Sequence, residues 1–406
     1  KLLVIGLVWP EPTSSAAGSR MLQLIELFKA AGYAICFACA ASKSPYSFPL
    51  ETLQVEEQVI RLNDSSFNSF VEDYQPDLVM FDRFMVEEQY GWRVREVAKD
   101  ALTMLDTEDL HFLRMARQTA LKKQRPIDYY SDTAKREIAA MLRCDLNLII
   151  AREEMKLLHE QFPIPASSLL YIPFLEEEIT AERSAQWKGF QERKNLMFIG
   201  NFLHEPNWQT VQVLKTEVWP ELRKRLPEAE LHIYGAYASE KVYQLNKPKE
   251  RFFIKDRADD ARLTMENYRL LLAPIPFGAG AKGKFIDAMQ SGTPNISSAI
   301  GAESMSLDGR WNGAIATDIS NFIQQAELLY SNEERWKSAQ QEGIYLLNTQ
   351  YARLHFEEAF ISSIKAYREN LSSYRQRNFL GEILKTQIHN SHKYMSLWIE
   401  EKGKNK

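Results

Sequence analysis

The sequence predicts an α/β protein with two successive parallel-sheet domains, followed by helices. Short apolar runs alternate with amphipathic segments over residues 1–172, a strongly charged stretch follows at residues 176–194, and the alternation restarts at residue 196. Because strands separated by helices pair in parallel, each run of alternation predicts one sheet covered by helices. The 406 residues suit two domains of roughly 170 to 200 residues each.

The first domain is predicted to span residues 1–175. Its first strand, Lys1–Val8, leads into a proline-bounded polar loop, and the next helix is predicted over Ser19–Ala31, with Ser19 as its N-cap. The remaining strands are short apolar runs: Tyr33–Ala40, Val59–Leu62, Leu78–Phe81, Leu102–Leu105, Leu146–Ile150 and Ser168–Ile172. These runs alternate with helical segments, so the domain is expected to hold a parallel sheet.

The second domain is predicted to span residues 176–350, and helices within residues 351–406 are predicted to return to the first domain. Its main elements are the strands Leu196–Ile199, Glu230–Tyr234, Arg251–Ile254 and Tyr268–Ala273, and the helices Trp208–Arg225 and Glu333–Leu347. A further helix is predicted over Tyr351–Tyr367. The last helix is expected to pack on the first domain through its apolar residues, Tyr394, Met395, Leu397, Trp398 and Ile399.

The composition excludes several classes of protein. A hydrophobic content of 45% and a net charge of −4 describe a globular chain without the basic excess of a nucleic-acid-binding protein. Three cysteines are too few for a disulfide framework. Because no apolar run reaches the length of a bilayer span and no cleavage-type segment follows the N-terminal strand, the expected location is cytoplasmic.

A glycine-rich loop inside residues 268–303 is the most informative stretch. It follows the strand Tyr268–Ala273 and precedes a short helix predicted from Lys284, and it consists of Gly278, Ala279, Gly280, Ala281, Lys282 and Gly283. Glycines let backbone N–H groups approach an anion, and a helix N-terminus adds unpaired N–H groups and a positive dipole end. Lys282 and Lys284 add full positive charge, so the layout predicts a phosphate-binding loop.

Three motifs fit this loop. Gly278–Gly283 satisfies the dinucleotide fingerprint G-x-G-x-x-G, with Glu303 about 20 residues further on. The late position of the fingerprint and its Pro-x-Pro entry disfavour a nicotinamide enzyme. The P-loop pattern fails at Phe285, where a hydroxyl is needed for magnesium. The third interpretation is the loop of a sugar-nucleotide enzyme, in which Asp287 or Glu303 would bind ribose hydroxyls.

Other candidate residues follow predicted strands. Asn201 and His204 come after the first strand of the second domain, where open α/β sheets bind ligands, and Arg257 follows another strand and is a candidate for contact with a nucleotide base. In the first domain His111 lies near several carboxylates, Asp106, Glu108 and Asp109. Asp106 or Asp109 could serve as a general base in an inverting enzyme, whereas an exposed or structural histidine is the plainer interpretation of His111.

Taken together, these segments resemble the GT-B glycosyltransferases, and among them the retaining family 4 group. The most specific parts are LMFIGNFLHEPNW (196–208), WPELRKRLPEAELHIYG (219–235) and APIPFGAGAKGKFIDAMQSGTPNISSAIGAESM (273–305). DTEDLHFLR (106–114) is similar to the acceptor-side loop of bacterial members. The resemblance implies two Rossmann-like domains with the active site in the cleft between them.

The resemblance also implies roles for individual residues. The glycine-rich loop would hold the diphosphate of a nucleotide-sugar, with Lys282 helping to neutralise the leaving group, and Asp287 would take the place of the ribose-binding glutamate. Gly18 and Ser19 would close on the donor, and His111 would contact the reacting sugar. Beyond the nucleotide-sugar co-substrate no cofactor is expected, and no metal, because lysines and helix N-termini neutralise the diphosphate.

One position departs from the family pattern. Members often carry two glutamates eight residues apart, and counting back from Asp287 leads to Ala279, so the acid that usually contacts the donor sugar is missing. This departure leaves two alternatives to a glycosyltransferase open. They are a nucleotide-sugar epimerase of the same fold and a non-catalytic protein that binds nucleotides or glycans.

The resemblance further implies a role in building a bacterial surface polysaccharide. Retention of the anomeric configuration is the family expectation, and the acceptor would be a glycan, a lipid-linked molecule or another hydroxyl compound. Five basic residues follow His111 in the sequence: Arg114, Arg117, Lys122, Lys123 and Arg125. They are compatible with a solvated helix face, with binding to an anionic lipid surface or with binding to a phosphorylated acceptor. Peripheral contact with the inner face of the membrane is therefore left open.

Overall fold

A computed structural model describes residues 1–404 of the chain, apart from the side chains at positions 388 and 389. The chain forms two compact units. The first unit comprises residues 1–11, 20–173 and 354–404, and the second comprises residues 12–19 and 174–353. The final two residues of the predicted C-terminal segment, 405 and 406, lie outside the described range.

Each unit contains one parallel sheet. The first unit has seven strands in the order β3-β2-β1-β4-β5-β6-β7, namely β1 (Leu2–Gly6), β2 (Ile35–Cys39), β3 (Glu56–Val59), β4 (Leu78–Asp82), β5 (Leu102–Asp106), β6 (Leu146–Ile149) and β7 (Leu169–Tyr171). The second has six strands in the order β10-β9-β8-β11-β12-β13, namely β8 (Lys194–Ile199), β9 (Leu231–Tyr234), β10 (Phe252–Ile254), β11 (Tyr268–Ala273), β12 (Asn295–Ser298) and β13 (Gly313–Ala316). In each sheet the strand order reverses direction once, between β1 and β4 in the first sheet and between β8 and β11 in the second.

Helices connect these strands. In chain order they are α1 (Ala16–Ala30), α2 (Ser66–Tyr74), α3 (Phe84–Val97), α4 (His111–Lys123), α5 (Asp132–Arg143), α6 (Arg152–Gln161), α7 (Ala181–Ser184), α8 (Glu205–Val213), α9 (Trp219–Arg225), α10 (Glu240–Tyr243), α11 (Ala261–Met265), α12 (Gly283–Gln290), α13 (Ala299–Ala302), α14 (Ile319–Ser331), α15 (Glu333–Gln350), α16 (Glu357–Glu369), α17 (Leu371–Arg377) and α18 (Phe379–Lys404). A π-helical turn at Leu214–Val218 joins α8 to α9, so the long helix predicted there is present.

The central strands are apolar because both faces of each sheet are covered. Each of β1, β2 and β4 has five residues, and all of them are buried, as is typical of parallel sheets. These strands correspond to continuous apolar runs in the sequence. β3 is the exception, because it occupies a sheet edge and its sequence EEQV is polar. The strand predicted at Val59–Leu62 is therefore wrong by three residues.

Two helix starts also differ from the prediction. α1 begins at Ala16, because the hydroxyl of Ser15 accepts a hydrogen bond from the N–H of Gly18 at 3.1 Å and caps the helix. Ser19 is therefore inside the first turn and is not the cap. The helix predicted from Tyr351 begins at Glu357, because Tyr351 and Arg353 exchange backbone hydrogen bonds with Glu176.

The C-terminal helices belong to the first unit, where α18 packs against α3 and α5. The predicted return of the chain to its first sheet is present, but the predicted orientation of the last helix is wrong. The residues expected to anchor it are exposed instead: Tyr394, Met395, Leu397, Trp398 and Ile399. The side chain that is buried in this turn of α18 is Ser396, at 5% exposure.

Candidate functional site

The glycine-rich loop and the Asn201 loop lie side by side in the second unit. β8 pairs with β9 on one side and with β11 on the other, so the strand order reverses between β8 and β11. The loop after β8 carries Asn201 and His204, and the loop after β11 carries residues 274–282. Open α/β sheets bind ligands at the carboxyl ends of strands where the order reverses, so both loops stand at the expected place.

The three glycines of this loop differ in why the position needs a glycine. Gly280 has φ +65°, a left-handed conformation that favours glycine. Gly283 begins α12, and a Cβ atom there would lie 2.5 Å from the Cβ of Ala16. Gly278 has no such constraint, because its Cβ would meet the Lys282 side chain at an ordinary 3.7 Å. The three glycines look alike in the sequence, but only two are required by the structure, Gly280 by its backbone conformation and Gly283 by the close approach of Ala16.

Lys284 is tied to the neighbouring loop. Its Nζ donates to Oδ1 of Asn207 at 2.7 Å and lies 5.0 Å from the ring centroid of Phe198. Asn207 in turn donates from Nδ2 to the carbonyl of Asn201 at 2.9 Å. Burial, with repulsion from Lys282, lowers the pKa of Lys284 to about 7. Asn207 therefore joins the two loops, a role that is hidden in the sequence, where this residue looks like an ordinary helix cap.

Lys282 occupies the N-cap position of α12, and its side chain makes no capping bond to the helix. Its Nζ instead donates to the carbonyl of Gly280 at 2.8 Å. Two cationic groups and the positive end of α12 thus meet at one turn of backbone. Such an arrangement favours an anion with several oxygen atoms, because a helix N-terminus and ammonium groups attract negative charge together.

Asp287 is held by an arginine that no sequence motif marks. Nε of Arg262 donates to Oδ1 of Asp287 at 2.8 Å, and an Nη atom of Arg262 lies 2.9 Å from Oε2 of the buried Glu176. Burial raises the pKa of Asp287, although Arg262 opposes the shift, whereas the two carboxylates raise the pKa of Arg262 against its own burial. Arg262 lies 25 residues before Asp287 on the short helix α11, and no spacing in the sequence indicates the pair.

The remaining donor-side candidates lie in two places of the second unit, the loop after β10 and the segment 12–19. Arg257 donates from Nη2 to the hydroxyl of Thr13 in the segment 12–19, which belongs to the same unit. Ser19 donates to the carbonyl of Pro12 at 3.2 Å, and Gly18 is in the first turn of α1. In the described part of the chain the buried hydroxyl of Ser14 has no hydrogen-bond partner, so it is an additional candidate for ligand contact.

In the first unit, Asp106 ends β5 and is fully buried. Arg20 binds it through two nitrogens, with Nη2 at 2.9 Å and Nε at 3.1 Å from Oδ1. Arg20 also donates to the carbonyl of Ile172 at 2.8 Å. The paired carboxylate therefore fixes the C-terminal end of β5, and a buried carboxylate held in this way is poorly placed to take a proton from a solvent-delivered acceptor.

His111 is the first residue of α4. Its Nε2 lies 3.5 Å from Oδ1 of Asp109, which also binds Arg114 at 2.7 Å, and its ring packs edge-on against Phe84 at 5.6 Å. Burial lowers the pKa of His111 to about 4, so the imidazole is neutral at pH 7. A neutral imidazole can donate from one ring nitrogen and accept at the other.

Glu108 lies in the same loop, near the charges of Asp106 and Arg83, and the sequence indicated it only as a member of the acidic loop. It has φ +62°, and one of its carboxylate oxygens is buried with no hydrogen-bond partner among residues 1–404. Burial, with the negative charge of Asp106, raises the pKa of Glu108 to about 8. Strained backbone and an unsatisfied carboxylate are concentrated at functional sites more than elsewhere, and no sequence pattern reveals either of them.

Neither a metal cluster nor a membrane-spanning helix is present in the described part of the chain. Its histidine, cysteine, aspartate and glutamate side chains form no group of three or more that is placed to hold a metal ion. None of the helices within residues 1–404 is both long enough and apolar enough to cross a bilayer.

The fold and this site define a class of protein. Two doubly wound sheets with a C-terminal return to the first are the architecture of the GT-B glycosyltransferases, and the predicted fold class is confirmed. Residues 193–332 match the family model described as Glycosyl transferases group 1, a stretch that contains the glycine-rich loop, Lys284, Arg262 and Asp287. The predicted enzyme class, glycosyltransferase, is confirmed at the level of this domain.

Solved structures show the same fold along most of the chain. Sucrose-phosphate synthase from Thermosynechococcus elongatus is similar with a TM-score of 0.66 and 14% identity, over 92% of this chain and 100% of that one. HepE of Anabaena, solved with UDP and glucose, has a TM-score of 0.66 and 12% identity, over 90% and 99%. WaaG, a glycosyltransferase involved in lipopolysaccharide biosynthesis, has a TM-score of 0.58 and 11% identity, over 88% and 98%. No curated protein sequence matches this chain.

Proposed function

We propose that this protein transfers a sugar from a nucleotide-sugar donor to an acceptor hydroxyl, without a metal ion and with retention of configuration. The observation that carries the proposal is the turn at the start of α12, where Lys282, Lys284 and a glycine backbone converge inside the segment that matches the group 1 glycosyl transferases. Pathway and acceptor follow from the family resemblance, and surface glycan assembly is the proposed setting.

The diphosphate of the donor would be held by this turn. Backbone N–H groups and the dipole of α12 would face its oxygens, while Lys282 and Lys284 would offset the charge that develops on the leaving phosphate. Because Lys284 has a lowered pKa, an anion beside it would draw a proton onto the amine and strengthen the contact. UDP is the first nucleotide to test, since HepE was solved with UDP and glucose.

Asp287 is the proposed ribose contact. Its carboxylate is oriented by Arg262, which is itself fixed by Glu176, so one oxygen can accept from a ribose hydroxyl while the other stays paired. Arg257 and Asn201 are proposed to lie against the nucleotide.

In the first unit, His111 is the proposed contact to the reacting sugar, and its neutral imidazole suits hydrogen bonding to a hydroxyl. We assign Asp106 a positioning role, because Arg20 holds it in full burial at the end of β5. Because Asp106 is paired with Arg20, we propose that an oxygen of the leaving phosphate accepts the proton of the incoming hydroxyl. This fits retention of configuration, in which the hydroxyl attacks from the same face of the sugar that the phosphate leaves.

The test is a donor panel that combines calorimetry with product analysis. UDP-, GDP-, ADP- and dTDP-sugars are offered to the wild type, to Lys282→Ala and to His111→Ala. We expect one nucleotide class to bind and turn over. Lys282→Ala should weaken nucleoside diphosphate binding by roughly tenfold to a hundredfold, as for a lost charge-assisted hydrogen bond. His111→Ala should lower turnover while leaving that affinity nearly unchanged.

Three outcomes would contradict the proposal. Absence of binding across the whole panel would remove the enzyme assignment. Conversion of a donor to its epimer without any acceptor would favour the epimerase alternative. Binding without turnover, with unchanged affinity in Lys282→Ala, would favour a non-catalytic protein and move the nucleotide away from the glycine-rich loop.

A further inference from the structure

Gln350 is the last residue of α15, and its side chain leads to the turn that carries Lys282. Nε2 of Gln350 donates to the carbonyl of Met305 at 3.0 Å, and this bond is buried. The N–H of Lys282 in turn donates to Sδ of Met305 at 3.2 Å. Met305 is fully buried, so its sulfur is confined beside the N-terminal end of α12. The end of α15 is therefore linked through one side chain to the turn that is proposed to hold the diphosphate.

The three residues after α15 pair with Glu176. The N–H of Glu176 donates to the carbonyl of Tyr351, and the N–H of Arg353 donates to the carbonyl of Glu176, both at 2.8 Å. Between these two bonds Glu176 and Ala352 form a parallel β-bridge, and Tyr351 and Ala352 are buried. The bridge therefore fixes the backbone of Glu176 against the segment that follows α15.

The side chain of Glu176 continues toward Asp287. Its buried carboxylate lies 2.9 Å from an Nη atom of Arg262, whose Nε donates to Asp287 at 2.8 Å. Nε2 of Gln290 on α12 donates to the same carboxylate at 3.2 Å. A buried carboxylate needs such partners, because an unpaired charge inside a protein is costly. The orientation of Asp287 therefore depends on a carboxylate whose backbone is fixed by the segment after α15.

These connections meet where the chain enters and leaves the second unit. The larger part of this unit is residues 174–353, so the bridged segments are its first and last residues. Asn348 fastens the same segments, because its Oδ1 accepts from the N–H of Ile179 at 2.8 Å and its Nδ2 donates to the carbonyl of Ile179 at 3.0 Å. We call residues 174–179 and 348–353 the paired ends. Both proposed donor contacts, the lysine turn and the ribose carboxylate, are attached to them.

We propose that the paired ends position the donor, with Met305 and Glu176 as positioning residues. Met305 holds Lys282 in the turn that binds the diphosphate. Glu176 acts through Arg262 to hold Asp287 toward the ribose. These roles rest on the donor site proposed above, and they add that nucleotide binding and the pairing of the two ends stabilise each other.

The coupling must act in both directions. If the pairing of the ends raises the affinity for a nucleotide by some factor, bound nucleotide stabilises the pairing by the same factor. Because each link depends on one or two hydrogen bonds, we expect a factor of roughly twofold to tenfold for each link. The N–H groups of Glu176 and Arg353 report the pairing, and the N–H of Lys282 reports the turn.

The first measurement is hydrogen exchange of the full chain without ligand. Gln350→Leu removes the donor to Met305 and should speed exchange of the Lys282 N–H by roughly twofold to tenfold. The matched control is Gln340→Leu on the same helix, which removes an equivalent bond, from Nε2 to the carbonyl of Gly292 at 2.8 Å. This control should leave exchange at Lys282 unchanged.

A second pair of variants changes the sulfur alone. Met305→Leu nearly conserves the side-chain volume but removes the acceptor of the Lys282 N–H, which should then exchange faster. It should also bind UDP more weakly, by roughly twofold or more. Met197→Leu, at an equally buried methionine of β8, should match the wild type in both measurements.

The second measurement adds UDP, with the affinity determined by calorimetry. In the wild type UDP should slow exchange at the N–H groups of Glu176 and Arg353 by roughly twofold to tenfold. Arg262→Lys keeps the positive charge but lacks the fork of donors that binds two carboxylates, so it should weaken UDP binding and reduce that slowing. A purely structural role of the paired ends would not make their exchange depend on nucleotide.

Two results would overturn these roles. One is equal exchange at Lys282 in Gln350→Leu and Gln340→Leu, and the other is UDP binding that leaves exchange at Glu176 and Arg353 unchanged in the wild type. If no nucleotide bound, the proposed function itself would be overturned, whereas the comparison without ligand would still support or overturn the link between the paired ends and the Lys282 turn.

Discussion

Lys282 and Lys284 stand two residues apart but are chemically different. Lys282 is bound to a backbone carbonyl of its own loop, whereas Lys284 is partly buried beside Phe198 and bound to an amide oxygen of Asn207. Burial and the nearby Lys282 bring the pKa of Lys284 to about 7. Near neutral pH its charge therefore depends on what occupies the site.

We predict that nucleoside diphosphate affinity falls as pH rises from 7 to 9. Binding of an anion favours protonated Lys284, whose pKa in the free protein is about 7, so complex formation takes up a proton above that pH. The loss should approach tenfold per pH unit. Titration calorimetry in buffers of different ionisation enthalpy measures both the affinity and the proton uptake.

Two variants separate the lysines in this experiment. Lys284→Met should bind more weakly and without proton uptake between pH 7 and 9. Lys282→Met should also bind more weakly but keep the uptake, displaced to higher pH, because the repulsion that lowers the pKa of Lys284 is removed. Proton uptake that persists in Lys284→Met would show that another group titrates.

For single residues, the sequence predicted which residues belong to the site better than it predicted which residues they contact. The glycine-rich loop and its lysines were recognisable because a phosphate-binding turn needs those residues in a short run. The pairs Lys284–Asn207 and Arg262–Asp287 join residues 77 and 25 positions apart, and no local pattern connects them. The strained Glu108 was equally invisible, since backbone torsion angles at a non-glycine residue leave no mark in composition.

Among the elements, α4 shows how a helix start can be closed to ligands. The buried Glu137 accepts from the N–H of His111 at 3.1 Å and from that of Phe112 at 2.7 Å, and Glu154 accepts from Leu110 at 3.0 Å. Carboxyl oxygens of two glutamates on other helices thus accept hydrogen bonds from the first N–H groups of α4. At the start of α12 the N-cap side chain makes no hydrogen bond to the helix, which is why α12 and not α4 is proposed as a phosphate site.

We predict that Glu137→Ala destabilises the first unit by roughly 1–3 kcal/mol for each backbone N–H left unsatisfied. Hydrogen exchange should show faster exchange at His111 and Phe112, together with a lower melting temperature. Burial raises the pKa of Glu137 to about 8, so the folded chain holds a proton there that the unfolded chain releases above about 4.5. The stabilisation that Glu137 gives to the folded state should therefore weaken as pH rises from about 4.5 to about 8.

The control for that measurement is Glu160→Ala on α6, an exposed glutamate whose removal should stay within about 0.5 kcal/mol. Equal exchange protection of the α4 amides in Glu137→Ala and wild type would show that the cap does not hold the helix start.

β3 and α18 show the limit of periodicity as a predictor of elements. β3 lies at an edge and has no apolar run to reveal it, so the prediction moved to the next apolar residues, Val59–Leu62. For α18 the apolar residues Tyr394, Met395, Leu397, Trp398 and Ile399 were expected to pack on the first domain, but they are exposed. The buried residue of this turn is Ser396, which accepts a hydrogen bond from Arg93, and the sequence does not show that a polar residue would be the one that packs.

For the molecule as a whole, the path of the chain matters most. It leaves the first unit, completes the second and returns, so residues 354–404 close the first unit from the far end of the sequence. Arg375 on α17 makes four of the hydrogen bonds that attach these C-terminal helices to the rest of the first unit. It binds both oxygens of the buried Asp145 at 2.8 Å and donates to the carbonyls of Lys99 and Ala101 at 2.7 Å.

We predict that Arg375→Ala costs roughly 3–5 kcal/mol, because it leaves Asp145 buried without its main partner. Limited proteolysis should then cut within α17 and α18. Although burial acts to raise it, the pKa of Asp145 is held low by Arg375 and Lys385, so the stabilisation is present above about pH 4 and is lost as pH falls below about 4.

Arg368→Ala is the matched control on α16. Its pair with Asp77 is exposed, at 48% and 40% for the two side chains, and should contribute about 0–1 kcal/mol. Equal destabilisation by both variants would show that the C-terminal helices are held by apolar packing and not by the arginine pair.

The late return of the chain also sets an order of events during synthesis. Residues 20–173 leave the ribosome before the roughly 180 residues of the second unit, which at about 5–20 residues per second takes on the order of 10–35 s. Throughout that interval Asp145 and the carbonyls of Lys99 and Ala101 have no Arg375 to bind, and Arg93 has no Ser396. The first sheet therefore stays incompletely covered during synthesis until the helices that follow the second unit have been made.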